Sequence, residues 1–163
     1  MLLPYFEWLE SLWLGKAVVG SLWLFPVIES VHLLALSVLG GSILLVDLRL
    51  LGFGLKNHRV SALAKDARPF TVGAIAVLIA TGVPLFMAEA IKCYYSPSFW
   101  VKMTTLAMAL VFTFTIRARV AAADGVDDTG SPVRRTARQV VVGALSIALW
   151  VTVAAAGRWI GFS

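Results

Sequence analysis

FPVIESVHLLALSVLGGSILLVDLRLL, residues 25–51, decides how this chain folds. A bilayer core is crossed by roughly 20 mostly apolar helical residues, and this run is long enough. Every backbone N–H and C=O needs a partner in lipid, so a lone apolar run crosses it as a helix. Three further apolar runs follow, at about residues 70–90, 99–116 and 140–160. The four runs predict an all-α integral membrane four-helix bundle, one membrane domain over residues 1–163.

Composition agrees. The chain is 60% hydrophobic and only 14% charged. Soluble domains carry about 45–50% apolar and about 25% charged residues. A soluble fold of this length leaves too much surface in water to hide the excess, so the expected partner is the lipid bilayer. The net charge of +5 does not point to nucleic acid, because the basic residues lie between apolar runs, where topology and anionic headgroups account for them. Cys93, the one cysteine, leaves no internal disulfide and no multi-cysteine metal site. The N-terminus has no basic leader and carries Glu7 and Glu10 early, so it is not expected to be a cleaved signal.

Residues 5–14, YFEWLESLWL, are too short and too mixed to span. They read as a short amphipathic helix in the interface, with Trp8, Leu9, Leu12 and Trp13 toward lipid. Pro4 suits its first turn.

Basic residues set the orientation. The first connection carries Arg49, Lys56, Arg59, Lys65 and Arg68; the third carries Arg117, Arg119, Arg134, Arg135 and Arg138. The second has only Lys92 and Lys102, and the ends add Lys16 and Arg158. The first and third connections, including the polar loop 123–135, are therefore expected in the cytoplasm and both termini outside. The tryptophans, Trp8, Trp13, Trp23, Trp100, Trp150 and Trp159, fall at the opposite end, as an interfacial belt does. In a bacterium this is an inner-membrane protein with periplasmic termini.

A shift of 70 residues superposes Ala67-Arg68 and Val72-Gly73-Ala74 on Ala137-Arg138 and Val142-Gly143-Ala144, Arg49 on Arg119, and His32 on Lys102. The repeat suggests two parallel halves, with His32 and Lys102 at equal depth. Chance matching of common membrane residues is the competing explanation.

Ionisable residues inside a span are costly and turn toward the bundle. At about 100° per residue, Glu29, His32, Leu36, Gly40, Ile43 and Asp47 share one sector of the first span. Gly40 and Gly41 remove bulk beneath His32, for close helix packing or for a flat ligand. Lys102 opens the third span, Pro84 and Glu89 end the second, and Arg158 ends the fourth. Glu29, His32, Glu89, Lys102 and Arg158 thus converge on the outer leaflet. At the inner end, Asp47 has Arg49, Arg68 and Arg117 as partners in reach. His32 is either a hydrogen-bonding link between helices or an axial ligand of a metal centre. In the second case Met87 or Met103 would be a further ligand, and Lys102 or Arg158 would meet haem propionates; copper suits His and Met equally. Glu29 and Glu89 otherwise pair with Lys102 and Arg158. Glu29-x-x-His32 is half of a di-iron motif, and the other half is missing.

Glu29-Ser30-Val31-His32, Gly40-Gly41 and Asp47-Leu48-Arg49-Leu50-Leu51-Gly52 resemble an uncharacterised family of small bacterial four-helix membrane proteins. That family is similar in turn to the HemJ-type protoporphyrinogen oxidase and to the copper-resistance protein D membrane domain. Arg68-Pro69-Phe70, Thr81-Gly82 and Phe99-Trp100-Val101-Lys102-Met103 extend the likeness over about residues 25–120. The resemblance to the oxidase implies haem b on His32 and an essential, catalytic role for Lys102. The resemblance to the copper family implies copper handling by His32 with Met87 and Met103. The full oxidase motif around the lysine is not reproduced and further histidines are missing, so haem carries over better than porphyrinogen chemistry.

Three functions stay open on the sequence. The first is a haem b-binding redox protein, with His32, Gly40, Lys102, Arg158 and Glu29 around the cofactor and a redox partner or porphyrin-like small molecule beside it. The others are a copper carrier and a cofactor-free scaffold. Homo-oligomerisation is compatible with each.

Overall fold

The computed structural model describes residues 3–54, 58–123 and 136–160. Lys56, Arg134, Arg135 and most of the loop 123–135 lie outside the described residues. The described residues form helices and no strand. They are α1 (Leu3–Ser11), α2 (Trp13–Val19), α3 (Leu24–Leu51), α4 (Val60–Ala88), α5 (Ala90–Tyr95), α6 (Pro97–Phe112), a π-helical turn (Thr113–Arg117), α7 (Ala118–Ala122) and α8 (Ala137–Ile160). Four helical stretches are long and apolar enough to cross a membrane: α3, α4, the continuous run Pro97–Ala122, and α8. The chain is an all-α, multi-pass four-helix bundle.

Three spans are longer than the apolar runs suggested. The second begins at Val60, not near residue 70. Proline inside a helix removes one hydrogen bond and crowds the preceding turn, which made Pro69 look like a start. The turns before it hold because Val60 is buried and Leu63, Ala64 and Ala67 pack against a core cluster containing Val46, Leu50 and Phe112. The third span continues to Ala122 through the π-helical turn. The fourth begins at Ala137. The first ends as expected: Gly52 takes a left-handed conformation (φ 83°), and Phe53 N–H closes back on Leu48 O at 2.8 Å. That is a glycine-capped helix end.

The N-terminal segment is two helices rather than one. Phe6 of α1 is buried, with its ring 5.1 Å from Tyr94 and 5.6 Å from Phe86. Trp8 and Trp13 are exposed as anticipated, but Leu9 packs into the same cluster and Leu12 is half-buried. Phe6 and Leu9 are one helical turn apart, so the α1 face that carries them turns to α5 and not to lipid. Gly15 of α2 lies so close to Met87 O that a Cβ would sit 2.7 Å from it. These helices cap the tryptophan end of the bundle.

α3 packs on α4 and α8, and α6 packs on α8; α4 meets the third span mainly at the basic end, through α7. The central core holds Leu39, Ile43, Ala74, Ala109, Trp150 and Val153. Polar links cross it. Ser42 and Thr71 hydroxyls meet at 3.0 Å, and Trp150 Nε1 donates to Thr113 Oγ1 at 3.1 Å.

Of the three arginines within reach of Asp47, the bundle uses Arg117. Its Nε donates to Asp47 Oδ1 at 2.5 Å and its Nη2 to Ile43 O at 3.2 Å. Asp47 is wholly buried and Arg117 is 7% exposed. Ser146 Oγ lies in reach of this carboxylate, but among the described residues neither it nor Asp47 Oδ2 makes a hydrogen bond of good geometry. Arg49 instead donates to His58 O at 2.8 Å and ties down the basic connection.

Candidate functional site at the tryptophan end

His32 lies on the α3 face that turns toward α4. Its Nδ1 is 2.8 Å from Thr81 Oγ1, and Thr81 Oγ1 is 2.7 Å from Val77 O. Thr81 is in the last third of α4, and Gly82 follows it. A Cβ on Gly82 would lie 3.3 Å from His32 Cε1. The glycine therefore lets the imidazole lie against the backbone of α4. The ring is half-buried, and among the described residues nothing hydrogen-bonds to its Nε2.

Lys102 opens α6 one helix away, half-buried. Its side chain runs along α8 over Gly157, where a Cβ would lie 3.4 Å from Lys102 Cε and 3.5 Å from Nζ. The ammonium is within electrostatic reach of His32 and of the Cys93 thiol. Among the described residues it makes no ion pair.

The carboxylates expected to neutralise it are elsewhere. Glu89 pairs with Lys92 at 3.9 Å, both side chains near 40% exposed. Glu29 is exposed. Arg158 is exposed on the last turn of α8, and it has a partner. Gly40 does not line the interior. It is exposed with no atom within 4 Å of a Cβ built on it, and Leu39 and Ile43 take the inward positions. The buried stripe of α3 runs through Ala35, Leu39, Ser42, Val46 and Leu50, so it is turned slightly from the sector drawn through Gly40.

Met87 is buried and Met103 is 45% exposed. Among the described residues no three His, Cys, Asp or Glu side chains gather as a metal-ligand set. Burial pushes the Cys93 thiol up to about 11; Glu89 adds to the rise, and Lys102 and Lys92 oppose it. A protonated, buried thiol is a poor ligand and a poor nucleophile. The cleft bordered by Glu7, Glu10, Gly15, Lys16 and Ile91 is formed by the N-terminal helices and α5, and neither His32 nor Lys102 lines it.

Sequence reasoning singled out His32 and Lys102, and the structure brings them to the same end. It did not find Thr81 as the partner of His32, or Gly157 as the seat of Lys102. The Thr81-Gly82 pair was the available signal for the first: a hydroxyl beside a glycine where an intramembrane histidine needs both a partner and room.

What this arrangement can do follows from its parts. Among the described residues it offers one imidazole nitrogen with no hydrogen-bond partner and one ammonium with no carboxylate, both half-buried among apolar helices. Such a pair suits a ligand with a Lewis-acidic centre and a negative edge. A family model described as "Family of unknown function (DUF6644)" matches residues 5–163. No curated protein and no solved structure matches the chain.

Proposed function

We propose, for a chain that belongs to the DUF6644 family of unknown function, that it binds haem b at the tryptophan end of the bundle and serves in electron transfer or redox chemistry there. One observation carries the reading: the imidazole of His32 and the ammonium of Lys102, which has no ion pair among the described residues, stand at the same end of the bundle with complementary needs. Haem iron takes an imidazole nitrogen as axial ligand, and haem propionates take cations. His32 Nε2 would hold the iron. Lys102 would meet a propionate and hold it by charge, while the apolar helices beside them, α3 and α4 at His32 and α6 and α8 at Lys102, limit access of water. Haem supplies one-electron iron chemistry; the chain supplies the ligand, the counter-charge and the low dielectric that tune it. By the distribution of basic residues the site faces the outer side of a bacterial inner membrane, with both termini there.

Absorption spectroscopy tests this. Protein made with ample haem supply and purified in mild detergent is expected to be red, with a Soret band. His32→Ala abolishes the band, and Lys102→Gln keeps it but loosens the haem several-fold. Colourless wild-type protein, or a band indifferent to His32→Ala, rules the reading out.

A further inference from the structure

Thr81 has one hydroxyl proton and several neighbours for it. Its Oγ1 lies 2.7 Å from Val77 O, 3.4 Å from Leu78 O and 2.8 Å from His32 Nδ1. A carbonyl oxygen cannot donate. An O···O separation of 2.7 Å is the normal length of a hydroxyl–carbonyl hydrogen bond, and two oxygens would not approach so closely without a proton between them. The Thr81 proton therefore lies on the line to Val77 O. The contact at Nδ1 then has to be made by a proton of the ring.

Neutral imidazole carries one proton. With that proton on Nδ1, Nε2 holds a lone pair. Among the described residues no donor occupies it. Gly82 completes the arrangement. A Cβ there would meet His32 Cε1 at 3.3 Å and Nδ1 at 3.8 Å, with no other side chain within 4 Å. Cε1 is the ring carbon next to Nδ1, so the bare glycine lets this edge of the ring seat against α4 with Nδ1 in reach of Thr81.

We infer that Thr81 is a positioning residue, which holds His32 as the Nδ1–H tautomer and so presents Nε2 as the metal-ligating atom. The relay runs Nδ1–H to Thr81 Oγ1, and Thr81 O–H to Val77 O. It fixes ring orientation and tautomer together, as partners of ligating histidines do. The ligating role rests on the haem reading above; the tautomer does not.

Nitrogen NMR of histidine-labelled protein in lipid nanodiscs tests it without haem. The chain has two histidines, so His58→Gln leaves one imidazole to observe. Well above the ordinary imidazole range, the proton is expected on Nδ1 and the Nε2 signal is expected to be that of a bare nitrogen. Thr81→Val removes the hydroxyl and keeps the shape; the Nδ1–H population should fall by more than half. Thr81→Ser should restore it. A parent spectrum with the proton on Nε2 overturns the inference, and so does a tautomer unchanged by Thr81→Val. The parent spectrum decides even if Thr81→Val fails to fold. In haem-loaded protein, Thr81→Val should weaken haem retention by roughly 10–100-fold. An Nδ1–H parent that never takes up haem leaves this assignment standing and removes the haem reading. Haem bound through His32 with an unresponsive Thr81→Val tautomer does the reverse.

Discussion

Asp47 has no exposed surface, and the charge that answers it comes from Arg117, 70 residues away. Removing one partner strands the other in a low-dielectric interior. Asp47→Ala is expected to destabilise the bundle by about 3–5 kcal/mol, read from equilibrium unfolding in mixed micelles. Replacing both partners, as Asp47→Leu with Arg117→Met, should recover most of that loss, because well-packed apolar side chains replace such pairs at little cost. Cys93 gives a second residue-scale test. Its thiol is raised to about 11 by burial first and Glu89 second, so the folded state keeps the proton after the unfolded chain has lost it. The stability this protonated thiol contributes is present below the ordinary thiol range and is lost as pH rises from there toward about 11. Maleimide should label Cys93 slowly in the folded protein at neutral pH and quickly once it is denatured. Fast labelling of folded protein would contradict its burial.

The spans were legible as elements because lipid tolerates so few sequences. Apolar runs of this length between basic clusters have one solution. Their ends were less legible. Pro69 looks like a boundary, yet α4 runs through it because burial of Val60 and its neighbours outweighs one missing hydrogen bond. The π-helical turn Thr113–Arg117 adds a residue to one turn, and both its end residues are buried. Nothing in the local composition announces it. The N-terminal helices were half-read: the exposed tryptophans advertised an interface, while the docking of Phe6 and Gly15 depends on α4 and α5, which lie far along the chain. His32 and Lys102 stood out because charge and imidazole are rare in lipid. Thr81 did not, since a threonine in a membrane helix bonds its own i−4 carbonyl whether or not it holds anything else. Thr104, Thr105, Thr115 and Thr152 do so too.

On the scale of the whole molecule, the two ends of the bundle differ in chemistry. One end carries Arg49, Arg59, Arg68, Arg119 and Arg138, and the other carries Trp8, Trp13, Trp23, Trp100, Trp159 and the His32–Lys102 site; Trp150, expected in the same belt, is instead buried in the central core, where its N–H is satisfied by Thr113. Basic clusters stay in the cytoplasm. A membrane-impermeant maleimide applied to intact spheroplasts should therefore label Ser11→Cys and not Ala123→Cys, both exposed positions; the reverse pattern would invert the molecule. The Asp47–Arg117 pair reaches further, into biosynthesis. Asp47 lies about one turn from the inner end of the first span, wholly buried, and its counter-ion is carried by the third. The first span emerges from the ribosome long before the third, and until then its carboxylate is answered only by water and headgroups at the inner interface. The order of synthesis thus makes the third helix the one that locks the first into the bundle, and a chain truncated after the second helix is expected to insert but to stay protease-sensitive, without the packing that residue 117 completes.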